Sequence, residues 1–305
     1  MKNKEILIIG GTGTLGKALI PRLINSGVKG IRVYSRDELK QSEQRKTAPK
    51  NVSFIIGDIR DKDRLSLAMR GVDIVINCAA LKQIETGEND PMEVIKTNIN
   101  GVSNVVEAAI YNNVEKVAQI STDKACYPIN LYGSTKLSAE KLIQNASGYA
   151  GNHGTKFCAF RYGNVIGSRG SVIPLFKRQA KEGLITVTHP DMTRFLIRIE
   201  NVVNFIIHML SKDFESGSIF VPMMKSFKTG DLAKLIGGDD CEYKIIGLRE
   251  SEKMHETIIT ADEGFIQQDS CYIIHKSYKV CGKTIDSNNA ERFGNETVLE
   301  LIEDV

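Results

Sequence analysis

The chain of 305 residues has no long apolar run, no block of one charge and no closely paired cysteines. Nothing in it approaches the roughly 18 to 20 consecutive apolar residues that a bilayer span requires, which excludes a membrane helix. The opening stretch, Met1 to Gly11, runs straight into a strand and a glycine turn where a signal segment would place its apolar stretch. Forty Lys and Arg stand against 37 Asp and Glu for a formal charge of +3, so a nucleic-acid partner has no electrostatic footprint. Cys78, Cys126, Cys158, Cys241, Cys271 and Cys281 form no Cys-x-x-Cys pair, and the five histidines fall near none of them, so no metal site is expected. A cytoplasmic protein with reduced thiols is the expectation. What is present is globular: 42% hydrophobic and 25% charged residues, with no repeats, enough for one large α/β domain with an appendage or two modest domains.

Short apolar runs alternate with helical spacing through the first half. Glu5–Ile9, Ile31–Tyr34, Val52–Ile56, Asp73–Asn77, Glu115–Ile120 and Lys156–Phe160 read as strands. Leu15, Leu19, Ile20, Leu23 and Ile24 fall on one face of a helix ending near Gly27. Such alternation, with strands apolar on both faces, predicts a doubly wound parallel sheet of Rossmann type covered by helices. Residues 1–165 are expected to form this nucleotide-binding domain, with later returns to the sheet. After Arg161, glycine turns at Gly163, Gly167 and Gly170 precede a helix at Val172–Lys181, and 166–305 is expected to form mainly a smaller substrate lobe and tail. The tail from Ala261, with Tyr272–Ile274 as its apolar patch, stays unassigned.

Gly10-Gly11-Thr12-Gly13-Thr14-Leu15-Gly16 follows the first strand and opens the first helix. Glycines in such a turn let backbone approach a pyrophosphate, whose charge then meets the free N–H groups of the helix start. A tight turn without a ligand is the plain alternative, and the strand–helix context favours the dinucleotide. At the end of the second strand Tyr34-Ser35-Arg36 offers a hydroxyl and a guanidinium, which suit the 2′-phosphate of NADP. Arg36 can instead pair with Asp37, and Asp37 can serve a ribose. Asp58 of Gly57-Asp58-Ile59 can accept the adenine amino group or cap the helix near Lys62.

The fifth strand ends in Ser121-Thr122-Asp123-Lys124, and Tyr132-Gly133-Ser134-Thr135-Lys136 follows shortly after. Tyr132 and Lys136, four apart on a helix, share a face, so the Lys136 ammonium is expected to lower the Tyr132 pKa and make a phenolate base. The plain reading of Asp123 and Lys124 is a capping aspartate and a loop lysine.

These residues resemble the extended short-chain dehydrogenases/reductases, in their subgroup of UDP-N-acetylglucosamine 4,6-dehydratases. The resemblance rests on GGTGTLG (10–16), YSRDELKQ (34–41), GDIRDKDRL (57–65), CAALK (78–82) and NDPMEVIKTNINGVSNVVEAA (89–109). It continues through STDKACYPINLYGSTK (121–136), RYGNVIGSRGSVIPLF (161–176), MTRF (192–195) and GLRESEKMHE (247–256). Most members of the wider superfamily carry Asp-Glu where this chain has Asp123-Lys124.

The resemblance implies a lyase that uses NADP catalytically on a UDP-sugar, with UDP-N-acetylglucosamine the first choice. Tyr132 takes the C4 hydroxyl proton as C4 is oxidised, Thr122 hydrogen-bonds the same oxygen, and Lys136 holds the phenolate and the ribose. Lys124, with its pKa depressed by burial and neighbouring positive charge, takes the C5 proton. Asp123, kept protonated, donates a proton to the departing C6 hydroxyl. The implied product is UDP-2-acetamido-2,6-dideoxy-L-arabino-hex-4-ulose, inverted at C5, on the way to pseudaminic acid or a related sugar. The implied cofactor contacts are Gly10, Thr12, Gly13, Thr14, Leu15 and Gly16, then Ser35, Arg36, Asp58, Ile59, Ala79, Ala80 and Lys82, with Tyr132 and Lys136. The implied substrate contacts are Lys82, Asn164, Ser171, Val172, Arg194, Arg249 and Glu252. Arg249 and Glu252 are expected to form at most a local ion pair, and His255 to be structural. A homo-oligomer, dimer or hexamer, is also implied.

Two features depart from the pattern. Lys82-Gln83-Ile84-Glu85 replaces the Lys-His-Val-Pro of the pseudaminic-type enzymes. Its Lys-Gln start is similar to the capsule-type dehydratases, which commonly replace the tyrosine by methionine, whereas Tyr132 is retained. The rival readings are a UDP-hexose 4-epimerase, a dehydratase acting on UDP-glucose, and an NADP-binding regulatory protein.

Overall fold

A computed structural model of the chain describes residues 1–151, 154–167 and 172–303. In chain order its strands are β1 (Glu5–Ile9), β2 (Gly30–Ser35), β3 (Val52–Ile56), β4 (Ile74–Asn77), β5 (Lys116–Ile120), β6 (Lys156–Phe160), β7 (Asn164–Val165) and β8 (Leu184–Val187). They continue as β9 (Thr193–Ile197), β10 (Ser218–Pro222), β11 (Lys225–Lys228), β12 (Glu242–Ile245), β13 (Thr257–Ile259), β14 (Phe265–Gln268), β15 (Cys271–Ile274) and β16 (Ile285–Asp286). Three of the six expected strands coincide with the observed ones, and the others differ by a residue at one or both ends.

Nine strands form the main sheet in the order β14-β15-β10-β6-β5-β4-β1-β2-β3. Strands β1 to β6 pair in parallel throughout, and β10 joins β6 in parallel. Side chains alternate across β1: Leu7 and Ile9 enter the core on one face, Ile6 and Ile8 the core on the other, and all four are buried. Burial on both faces explains the unbroken apolar runs that mark these strands in the sequence.

The first part of the tail left unassigned by periodicity, β14 and β15, belongs to this sheet, whereas β16 pairs with β13 and Val298 and Ile302 join the smaller lobe's core. β15 lies antiparallel to β10 and β14 antiparallel to β15, so the chain returns after the smaller lobe and covers the edge of β10. A buried ion cluster ties the tail down. Arg161, at the end of β6, gives two hydrogen bonds to Glu140 (2.6 and 3.0 Å) and two to Glu263 (2.7 and 2.9 Å). The smaller lobe carries a three-stranded sheet, β11-β9-β7, and a two-stranded one, β12-β8, around a core of Ile173, Phe176, Ile185, Leu196 and Phe227. The expected helix Val172–Lys181 is present with those bounds. Among the described residues no helix is long and apolar enough to cross a membrane, and all six cysteines are free thiols.

Candidate active site

The strand order reverses between β1 and β4, and the carboxyl ends of those strands open a crevice. A cavity of about 560 Å³ starts there on Gly10 and Thr12 to Lys17, passes Ala80, Lys82 and Gln83, and ends on Ser121, Thr122, Lys124, Tyr132, Lys136 and Gly163. Gly10 has φ +75°, and a Cβ on it would stand 2.8 Å from the Ala79 nitrogen, so the two strand ends meet only because residue 10 has no side chain. The helix Thr14–Asn25 begins at Gly13 with no side-chain cap and no acidic residue in its first turn. Its first N–H groups face the cavity end without a competing carboxylate, an arrangement that fits a pyrophosphate. The loop after β4 is clamped by Asn98, whose amide spans the Leu81 N–H and carbonyl at 2.9 Å each and reaches Thr135 Oγ1 at 3.1 Å.

At the far end, Thr122 caps a single 3₁₀ turn, Asp123–Ala125. Asn130 caps the helix Leu131–Ala150 by accepting from the Gly133 N–H at 2.8 Å. That helix rests against the 3₁₀ turn at Gly133, where a Cβ would stand 2.3 Å from the Lys124 carbonyl. The contact sets Tyr132 beside Thr122 and Lys124: the Thr122 hydroxyl hydrogen-bonds the phenol, and the Lys124 charge acts on it. Asp123 is fully buried. Its Oδ1 accepts from Thr122 Oγ1 at 3.0 Å and from Lys124 Nζ at 3.2 Å, while Oδ2 has no hydrogen-bond partner and faces Gly163. Lys124 lines the cavity and Asp123 lies behind it.

Two electrostatic expectations are overturned. The Lys124 pKa is raised, because Asp123 and Glu256 together outweigh the burial that would lower it. Burial pushes the Tyr132 phenol up to about 12, and the cation opposing this is Lys124 rather than Lys136. Lys136 points elsewhere. Its amine donates to the Ile120 carbonyl and burial lowers it to about 8. Asp123 is raised by the same loss of solvent, against the pull of Lys124.

The other predicted residues divide in two groups. Lys82 and Asn164 line the cavity, and Asn164 Oδ1 accepts from Lys124 Nζ at 3.4 Å. Ser35, Arg36, Asp58, Ile59 and Ala79 lie outside its wall. The Ser35 hydroxyl turns inward and accepts from Gln41 at 2.9 Å, while the exposed Arg36 stands 3.7 Å from Asp58. Asp37 caps the helix Glu38–Arg45 and pairs with Lys40, and Asp61, not Asp58, caps the helix Lys62–Met69. Asp58 is held by Arg60. Ile59 is buried core.

The Arg194 guanidinium is spent on the carbonyls of Thr193, Lys253 and Met254 and does not reach the cavity wall. Val172 packs on the smaller lobe's core, and Ser171 falls outside the described residues. Arg249 is exposed, and Glu252 accepts from its backbone N–H at 3.3 Å, a local bond in place of a side-chain pair. His255 hydrogen-bonds Thr193 Oγ1 at 2.7 Å, a structural contact.

Sequence reasoning missed Glu256, Lys40 and Asn98. Glu256 is buried with Oε1 3.4 Å from Lys124 Nζ, and the only signal for it was its place at the end of GLRESEKMHE. Lys40 lines the cavity near the glycine loop.

Residues 6–277 match a family described as polysaccharide biosynthesis protein. The chain is 46% identical over 290 residues to UDP-N-acetylglucosamine 4,6-dehydratase (inverting) of Campylobacter jejuni subsp. jejuni serotype O:2, covering 93% of this chain and 86% of that one. It is 40% identical over 313 residues to UDP-glucose 4-epimerase of Rickettsia conorii, covering 99% and 90%. Among solved structures, Pen from Bacillus thuringiensis superposes with a TM-score of 0.91 at 37% identity, covering 100% of this chain and 99% of the other. By the extent of these matches and the architecture they share, the chain belongs to the polysaccharide biosynthesis protein family of extended short-chain dehydrogenases/reductases.

Proposed function

We propose that the protein is a C5-inverting UDP-N-acetylglucosamine 4,6-dehydratase that uses NADP catalytically. The observation that carries this reading is the Asp123–Lys124 pair set beside Tyr132 and Thr122 at the end of the glycine-loop cavity. A 4-epimerase needs a base at C4 but no acid–base pair for elimination. The greater identity to the Campylobacter dehydratase than to the Rickettsia epimerase supports the same choice.

The residues fit the cofactor. Gly10, Thr12, Gly13, Thr14, Leu15 and Gly16 would take the pyrophosphate on the helix start, Ala79, Ala80 and Lys82 would flank it, and Asp58 and the backbone of the core residue Ile59 would meet the adenine. Arg36 and Lys40 supply the positive charge for a 2′-phosphate, with Ser35 positioning the strand end through Gln41. When bound, the dinucleotide supplies a hydride acceptor at C4 and a donor at C6, so no net oxidation results.

As the phenolate, Tyr132 takes the proton of the C4 hydroxyl and Thr122 holds the same oxygen, while Lys136, which lines the cavity, would hold the nicotinamide ribose. The resulting carbonyl acidifies C5–H. Moving one proton from Lys124 Nζ to Asp123 Oδ1 across their 3.2 Å hydrogen bond turns an ion pair into an amine and a neutral acid with no outside acceptor. The full burial of Asp123 favours that neutral form. The amine takes the C5 proton, the acid gives its proton to the C6 hydroxyl as water leaves, the ion pair is restored, and a solvent proton delivered to the opposite face of C5 completes the inverted product. Lys82 and Asn164 hold the sugar, while Ser171, Val172, Arg249 and Glu252 take the UDP end. Arg194 acts by fixing the segment 253–256.

Incubation with UDP-N-acetylglucosamine and substoichiometric NADP in D2O, followed by proton NMR, tests the reading. The expected result is a 6-methyl signal with deuterium at C5. A UDP-N-acetylgalactosamine product would make the protein an epimerase, and turnover of UDP-glucose alone would overturn the substrate.

A further inference from the structure

Lys124 has more carboxylate around it than the elimination consumes. An ammonium has three N–H donors, and three oxygens meet this one: Asp123 Oδ1 at 3.2 Å, Asn164 Oδ1 at 3.4 Å and Glu256 Oε1 at 3.4 Å. Glu256 is 4% exposed, does not line the cavity, and has its backbone fixed by an N–H bond to Ser287 Oγ at 2.9 Å. Its carboxylate is faced by three cations: Lys124, Arg194 with Nε 3.9 Å from Oε1, and Lys253 with Nζ 3.9 Å from Oε2. Among the described residues Asp123 pairs with one cation, Lys124, with Glu256, Tyr132 and Cys126 as its other titratable neighbours.

Resting on the dehydratase reading, we propose that Glu256 is a positioning residue for the Asp123–Lys124 pair, and that its buried anion makes the pair hold one proton more than elimination allows until the pH rises. With Glu256 ionised, two carboxylates share one ammonium, and the surplus negative charge favours a proton on Asp123 as well. Lys124 then has no lone pair, and Asp123 has no room for the proton that Lys124 must shed. Loss of a single proton from the cluster restores the pair in which Nζ can hand its proton to Oδ1. The asymmetry in the surroundings agrees with this division. Burial works against ionisation of both carboxyls, yet the three cations bring Glu256 below its ordinary range while Asp123 stays above its own. Dehydration should therefore switch on as pH rises, at a point that Glu256 sets.

The test is the pH dependence of kcat and KM for UDP-N-acetylglucosamine dehydration by the wild-type holoenzyme, Glu256→Gln and Lys253→Met. Removing one anion this close should move the rising limb of Glu256→Gln down by about one pH unit. KM should stay within about twofold, because Glu256 lies off the cavity wall. Lys253→Met removes a positive charge while Lys124 and Arg194 still hold Glu256 ionised, so the cluster keeps its surplus proton more tightly and the limb should move up, which a simple loss of packing does not do. A limb in Glu256→Gln that coincides with wild type, or moves up, overturns the inference. If that variant does not fold, Lys253→Met decides, and a limb that does not rise overturns it. A wild type that makes no 6-methyl product fails the dehydratase reading itself and takes the inference with it. Wild-type turnover with coincident limbs sinks only the role of Glu256.

Discussion

Gly133 and the Lys124 carbonyl stand in such close contact that a Cβ at 133 would lie 2.3 Å from that oxygen. The contact is backbone on backbone, so no side-chain rotation relieves it. Gly133→Ala should push the start of the helix Leu131–Ala150 off the 3₁₀ turn and take Tyr132 away from Thr122. A misplacement on the order of 1 Å lowers turnover about 10²-fold. Steady-state kinetics beside circular dichroism checks this, and full activity in a folded variant would refute it.

Lys124→Ala removes the proposed C5 base but leaves the glycine loop, Tyr132 and Thr122 in place. We expect it to bind NADP normally and to lose about 10² to 10⁴ in dehydration rate. Wash-out of deuterium from C5-labelled substrate is the sensitive readout, and exchange at the wild-type rate would remove Lys124 from the mechanism.

Lys136 is a buried lysine whose pKa burial depresses to about 8. Between that value and about 10.5 the unfolded chain binds more protons at this position than the native one, so the stability of the free protein should rise with pH across that window. Below it the native state carries a buried cation at a cost on the order of 3 kcal/mol. Lys136→Met should accordingly raise the melting temperature of the cofactor-free protein near neutral pH while abolishing turnover. A lower melting temperature would contradict this.

Arg161, Glu140 and Glu263 form a buried cluster that fastens the tail to the helix Leu131–Ala150. Removing one partner leaves charges buried without compensation, and Glu263→Ala should cost about 3 to 5 kcal/mol. Urea unfolding measures it, and a change below about 1 kcal/mol would show that the cluster does not hold the tail.

Arg36→Ala combined with Lys40→Ala should weaken NADP binding by about tenfold or more and leave NAD binding nearly unchanged, since only the former carries a phosphate for these cations. Equal losses for both dinucleotides, measured by fluorescence titration, would move the phosphate contact elsewhere.

Much of this protein was legible in one dimension because the signals are local. An apolar run bounded by turns marks a doubly covered strand, which is why β1, β3 and β6 fall on the expected residues. A glycine loop between strand and helix marks an anion cradle for the same reason: neighbouring residues build it. The tail gave no such signal. β14 and β15 are short, and they become strands by pairing with each other and, through β15, with the edge of β10.

The sequence by itself determined the alternating elements, the glycine loop at 10–16 and the grouping of Thr122, Asp123, Lys124 and Tyr132, because each depends on spacing along a few turns of chain. Only the tertiary structure decided which charges meet. It brought Glu256 and Asn164 to Lys124, turned Lys136 onto the Ile120 carbonyl, and tied Glu263 to Arg161. Proton affinities follow from burial and from partners distant in the chain, so the charge on Lys124 became readable only once the fold had chosen its neighbours.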